Sequence, residues 1–135
     1  MKILLDVIDM DTDAITTAFK KFQTQNLGFT HLVVLSRDGE ILFSSEPNFI
    51  SPDEAKHVMD VWQHNGPAVE LRPLRFAVLK WDELQFAAKN IATKAGLVGS
   101  KTKSGKYAIV KLAPDCPTAI LQASIVVNRW SWSVI

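Results

Sequence analysis

Behind an acidic lead-in, the apolar positions Ile15, Ala18, Phe19 and Phe22 recur at intervals of three and four, and Asn26 and Gly28 stop the pattern. This predicts an amphipathic helix. Two apolar, β-rich runs follow, HLVVLS and EILFSS, separated by Arg37-Asp38-Gly39. Asp-Gly between such runs predicts an antiparallel hairpin. The next helix start is written out in local chemistry: Ser51 can cap, Pro52 fits the first turn and Glu54 completes a capping box. That helix is expected from about Pro52 to Gln63, burying Ala55, Val58, Met59 and Trp62 and ending before Gly66-Pro67.

Beyond it, LRFAVLKW, LQFAAKNIA, AGLVGS and KYAIVKLA read as four short strands, with Gly96, Gly99, Ser104 and Gly105 marking turns. The C-terminal run PTAILQASIVVNRW opens like a helix with Pro117 in its first turn, and is expected to stay helical to about Asn128, whereas RWSWSVI alternates like a strand. Helix, hairpin, helix, strands and helix in that order describe an α+β fold. Its centre is an antiparallel sheet of about six strands, with N- and C-terminal helices and a capped middle helix packed on it.

At 135 residues, 47% apolar and 21% charged, the chain suits one domain spanning residues 1–135 and offers nothing for a linker or a disordered tail. The single cysteine, Cys116, excludes an intrachain disulfide and fits a reducing compartment such as the cytoplasm. The opening MKILLDVIDMDTD begins like a signal peptide, but Asp6, Asp9, Asp11 and Asp13 interrupt it, so export by that route is not expected. No run approaches the roughly 18 apolar residues of a membrane helix, which leaves only peripheral lipid contact.

Net charge is +1, unevenly spread. Between Leu84 and Leu112 stand Lys89, Lys94, Lys101, Lys103, Lys106 and Lys111 with no acid among them. This is either a solvated face or a footprint for an anionic partner.

Motifs of catalysis are few. The segment from Gly99 to Tyr107 has the flavour of a phosphate-binding loop, but five residues separate its glycines, Tyr107 replaces the required hydroxyl residue, and a strand follows where a helix is needed. His57, Asp60 and His64 could share a helix face, yet no fourth ligand is suggested and His64 falls where the helix should end, so no metal is assigned. Cys116 sits beside Pro117 with no histidine nearby to activate it. No enzyme and no cofactor are expected. Nucleic acid is also not expected, because a near-neutral chain lacks a basic stripe interleaved with aromatics.

Of the four tryptophans, Trp62 lies on the apolar face of its helix, and Trp81 sits beside Lys80 and Asp82 at a strand end where half-exposure is expected. Trp130 and Trp132 either cap the core or form a platform for a proline-rich ligand.

The order of a helix, the hairpin HLVVLSRDGEILFSS, then PNFISPDEAKHVM, then LRFAVLKWDE, a Lys-rich strand pair and a terminal helix resembles the profilin family. It is most similar to the divergent profilins of Asgard archaea. The likeness spans about residues 13 to 130 and leaves residues 1–12 as an N-terminal extension. It implies a monomeric, cytoplasmic protein of the cytoskeleton that binds the actin monomer and regulates polymerisation without catalysis. Carried onto this chain, the actin-binding positions are Arg75, Lys80 and Lys89 with Gln122 and Asn128 on the last helix.

The family's phosphoinositide contact would fall to Lys89, Lys94, Lys101, Lys103 and Lys106. Its polyproline site departs from pattern: Ile15 and Ala18 stand near aromatic positions and Leu42 where a hairpin tryptophan is expected. Only Trp130 and Trp132 supply rings there, so binding of proline-rich peptides should be weak or absent. The rival reading is an interaction module of the roadblock or longin type serving small GTPases, which shares the sheet-plus-helices plan but places fewer strands after the middle helix.

Overall fold

A computed structural model describes residues 10–135, so most of the expected N-terminal extension, residues 1–9, lies outside the described residues. Helix α1 (Thr12–Gln25) starts where Asp11 caps it, Asp11 Oδ1 accepting from Ala14 N–H at 3.0 Å. It ends where Asn26 turns its amide back onto the Phe22 carbonyl.

Strands β1 (Phe29–Leu35) and β2 (Ile41–Ser44) form the expected hairpin. Its turn depends on Gly39, which has φ +85° and lies against α2 (Pro52–Gln63): a Cβ there would come within 2.6 Å of the Lys56 Cα. The capping box of α2 forms in full, with Glu54 N–H donating to Ser51 Oγ at 3.1 Å and Ser51 N–H to Glu54 Oε1 at 3.0 Å. The other carboxylate oxygen of Glu54 accepts from Arg72 N–H at 2.9 Å and so ties the helix start to the sheet.

The remaining strands are β3 (Ala68–Leu71), β4 (Leu74–Trp81), β5 (Gln85–Lys89), β6 (Gly96–Lys101) and β7 (Tyr107–Leu112), followed by α3 (Ile120–Val134). All pair antiparallel in one sheet ordered β2-β1-β7-β6-β5-β4-β3. The sheet thus has seven strands where about six were expected. The addition is β3, a four-residue edge strand whose Glu70 and closeness to Gly66-Pro67 hide it within what reads as a turn.

The sheet has two apolar faces because side chains alternate along each strand. Val33, Leu35, Phe76, Phe86, Leu97 and Ile109 face α2, where Trp62 packs on Phe86 and Tyr107 at ring separations of 5.4 and 5.2 Å. Leu32, Val34, Ala87, Val98, Ala108 and Val110 face α1 and α3. Phe22 of α1 meets Phe29 of β1 edge-on at 5.1 Å and Trp130 of α3 at 5.0 Å, and burying rings of this size contributes about 1.5–3 kcal/mol each.

The last helix departs from expectation at both ends: it begins at Ile120, not near Pro117, and runs to Val134, not Asn128. Ala123, Val127 and Ser131 recur every four residues and are buried against the sheet, so the Trp-Ser-Trp alternation of the tail belongs to a helix and not a strand. No helix among the described residues is long and apolar enough to cross a membrane.

Candidate interaction face

Strand β4 lies beyond the cover of α1 and α3, leaving part of the sheet open beside the start of α3. Its pairing with β5 is irregular: Val78 stands opposite Ala88 but Lys80 opposite Ala87, so Leu79 is an extra residue in a bulge and is 52% exposed. After the bulge Lys80 turns toward α3. Its Nζ donates to Gln85 Oε1 at 2.7 Å, and the same oxygen accepts from the buried Ser124 Oγ at 3.1 Å. Ser124 Oγ also reaches the carbonyl of Leu121, whose side chain is 50% exposed on the first turn of α3. Leu79, Lys80, Gln85, Ser124 and Leu121 therefore form one contiguous track from sheet to helix. Exposed apolar side chains rimmed by polar groups are the composition of a protein-binding surface.

The cations expected here take different places. Arg75 is exposed on β4 and paired with Glu70, directly opposite on β3, at 3.3 Å. Lys80 is fixed as described. Lys89 stands opposite Ala77 and Gly96 in the ladders and, with Lys94, lines a pocket of about 140 Å³ at the start of α3. That helix has Ala119 at its N-cap, no side-chain cap and no acid in its first turn, so the positive end of its dipole adds to the two lysines. Gln122 is exposed on the first turn. Asn128 is turned inward, its amide donating to Ser100 Oγ at 2.8 Å, and it clips α3 to β6.

The five lysines expected to act together are not together. Lys89 and Lys94 lie at one end of β6, Lys101 and Lys103 at the other, about 17–20 Å apart along a six-residue strand. Lys106 is buried, its Nζ directed to Ser104 Oγ at 3.3 Å.

The two terminal tryptophans also part company. Trp130 packs on Phe19 and Phe22 and caps the core, while Trp132 is exposed on another side with its indole N–H donated to the Lys101 carbonyl at 2.7 Å. Ile15 is buried, and Ala18 and Leu42 are partly buried. His57 Nε2 accepts from Glu70 N–H at 3.1 Å, whereas His64 lies exposed beside Asp60. Cys116 directs its thiol at the Leu27 carbonyl.

The sequence pointed to the cations of this face but not to Leu79, Gln85, Leu121 and Ser124, which the structure places beside Lys80. An isolated leucine in an apolar strand gives no sign that a bulge will expose it.

Open antiparallel sheet, helices on both faces and an uncovered β4–α3 track define a small binding module. No family model matches the chain. Loki profilin-3 of Lokiarchaeum sp. (strain GC14_75) is 35% identical over 114 residues, covering 84% of this chain and 92% of that protein. This chain therefore belongs to the profilin family.

Two solved structures share the fold. LokiProfilin1 aligns with a TM-score of 0.73 at 12% identity, over 92% of this chain and 99% of that one. LokiProfilin2, solved in complex with rabbit actin, aligns with a TM-score of 0.76 at 11% identity, over 93% and 100%.

Proposed function

We infer that the chain binds monomeric actin through the track formed by β4, β5 and the start of α3, and so regulates filament assembly as a binding protein rather than an enzyme. The observation that carries this is the exposure of Leu79 and Leu121 at the two ends of the hydrogen-bonded link from Lys80 through Gln85 and Ser124, with Arg75 and Lys89 on the same two strands. Apolar side chains supply the desolvated centre of such an interface and the cations steer it to an acidic partner surface. Support comes from the profilin family membership and from LokiProfilin2, a relative in fold solved with rabbit actin.

Gln122 belongs at the edge of this contact. Asn128 acts behind it by holding α3 in place. Phosphoinositide headgroups would meet Lys89 and Lys94 at the pocket beside α3 and compete with actin there, with Lys101 and Lys103 a separate contact. Proline-rich peptides bind weakly, because the ring of Trp130 is engaged by Phe19 and Phe22 and Trp132 stands apart from it. The protein acts as a cytoplasmic monomer.

The test is polymerisation of pyrene-labelled actin with rising amounts of protein, using actin from the same cell and a eukaryotic actin. Dose-dependent inhibition of nucleation that is lost in an Arg75→Glu, Lys80→Glu variant of unchanged fold supports the assignment. A folded protein that leaves both actins unaffected at tens of micromolar refutes it.

A further inference from the structure

A second cavity, of about 370 Å³, lies where the β1–β2 turn, the end of α2 and the β4–β5 turn meet over the start of β7. This is within the usual size of small-ligand sites. It sits on the α2 side of the sheet, whereas Lys80 and the track described above face α3. Trp62, Trp81 and Tyr107 line it with aromatic rings, and Asp82, Glu83 and Arg37 line it with charge.

The chemistry of these walls is one-sided. Both indole N–H groups are already used, Trp62 donating to the Asp82 carbonyl at 2.8 Å and Trp81 to the Gly66 carbonyl at 2.9 Å. The cavity therefore offers ring surface without the free indole donors that hold a proline-rich peptide. Asp82 Oδ1 accepts from Leu84 N–H and Gln85 N–H at 2.9 and 2.7 Å, which fixes this carboxylate in the turn and leaves its other oxygen available.

Glu83 adds a second carboxylate to the lining, against one guanidinium, that of Arg37, a local balance of −1. Tyr107 is only 8% exposed, and its hydroxyl has no partner among the described residues. No sealed side-chain oxygen or nitrogen among them lacks a partner, so this hydroxyl is open to the cavity that Tyr107 lines. An accessible, uncommitted hydroxyl on an otherwise buried ring, in a cavity also lined by two carboxylates, can accept from a donor that enters.

We propose that this cavity takes an arginine side chain from a basic peptide. A guanidinium carries only donors and is planar, so it can lie against Trp81, which is 38% exposed, and donate to Glu83, to the free oxygen of Asp82 and to the Tyr107 hydroxyl. Lysine matches the charge but not the plane. The local balance of −1 admits one cation, so a peptide places one arginine here and keeps the rest of its contacts outside. This site is independent of the actin reading.

The four tryptophans make the test direct, because each indole N–H gives its own signal in a spectrum of ¹⁵N-labelled protein. The full chain is titrated with N-acetyl-arginine amide, N-acetyl-lysine amide, an Arg-Gly-Arg peptide and a proline-rich peptide. The arginine ligands should shift Trp62 and Trp81 saturably while Trp130 and Trp132 stay still. Arginine should bind at least about threefold tighter than lysine.

Glu83→Gln, at an exposed position, should weaken binding roughly fivefold, and Tyr107→Phe, which removes only the hydroxyl, should weaken it by a factor of about three. Absence of a saturable shift at millimolar ligand overturns the proposal. So does equal binding by the Glu83→Gln variant, equal or tighter binding of lysine, or a shift of Trp62 and Trp81 by the proline-rich peptide instead.

Discussion

Single residues here carry duties that their types alone do not announce. Gly39 combines a left-handed backbone with a position against α2 where a Cβ would strike the Lys56 backbone. Gly39→Ala should therefore cost at least about 1–3 kcal/mol, read as a lower denaturant midpoint at unchanged slope. Glu54 serves two hydrogen-bonding partners with one carboxylate. Burial alone would raise its pKa, but the hydrogen bonds from the Ser51 and Arg72 backbones and the Ser51 hydroxyl outweigh this and hold it below 4.5.

Because the folded value lies below the unfolded one, the stability that Glu54 contributes is present above pH 4.5 and is lost as pH falls through the folded value. Glu54→Gln should flatten this part of the acid-unfolding profile, measured by circular dichroism between pH 5 and about pH 2. His31 behaves in the same sense: burial and the charge of Lys111 depress its pKa against the opposing pull of Glu46. Its neutral form is the one the fold favours. At the proposed actin-binding face, replacing Leu79 by Asp puts a charge at the exposed bulge without touching the core, and should weaken actin binding at least roughly tenfold with little change in thermal stability.

At the scale of elements, legibility followed locality. The start of α2 could be read from Ser51, Pro52 and Glu54 because all its determinants lie within four residues. The β1–β2 turn could be read from Asp38-Gly39 for the same reason. Strand β3 could not, since a four-residue edge strand is defined by its pairing with β4. The end of α3 was hidden because its fate depends on what Ser131 and Trp130 meet on β6 and α1.

Of the candidate site, the cations Arg75, Lys80 and Lys89 were legible, but their geometry was not. Lys80 reaches α3 only because the bulge reverses the alternation of β4, and Asn128 turns inward through a contact made across the fold, whereas Lys106 directs its Nζ at Ser104 two residues before it. The polar clip between α3 and β6 also yields a prediction. Asn128→Ala removes a half-buried partner of the buried Ser100 and should destabilise the fold by about 1–3 kcal/mol in urea unfolding, while weakening actin binding only as far as α3 loosens.

Across the whole molecule, the sheet separates the two proposed binding surfaces. The α3 side presents Leu79, Lys80 and Leu121 on an open track, and the α2 side presents the cavity at Trp81 and Glu83. The rings of Phe19, Phe22 and Trp130, which join α1 to α3, serve the core. The central claim is that actin meets the first surface. It is tested most directly by chemical-shift mapping of the labelled protein against monomeric actin held unpolymerised. The account predicts that signals of Leu79, Lys80, Lys89 and Leu121 shift or broaden first, with the Trp130 and Trp62 indoles unaffected. Perturbation centred on α1 and Trp130, or on the cavity beside Trp81, with the β4–α3 track silent, would contradict it.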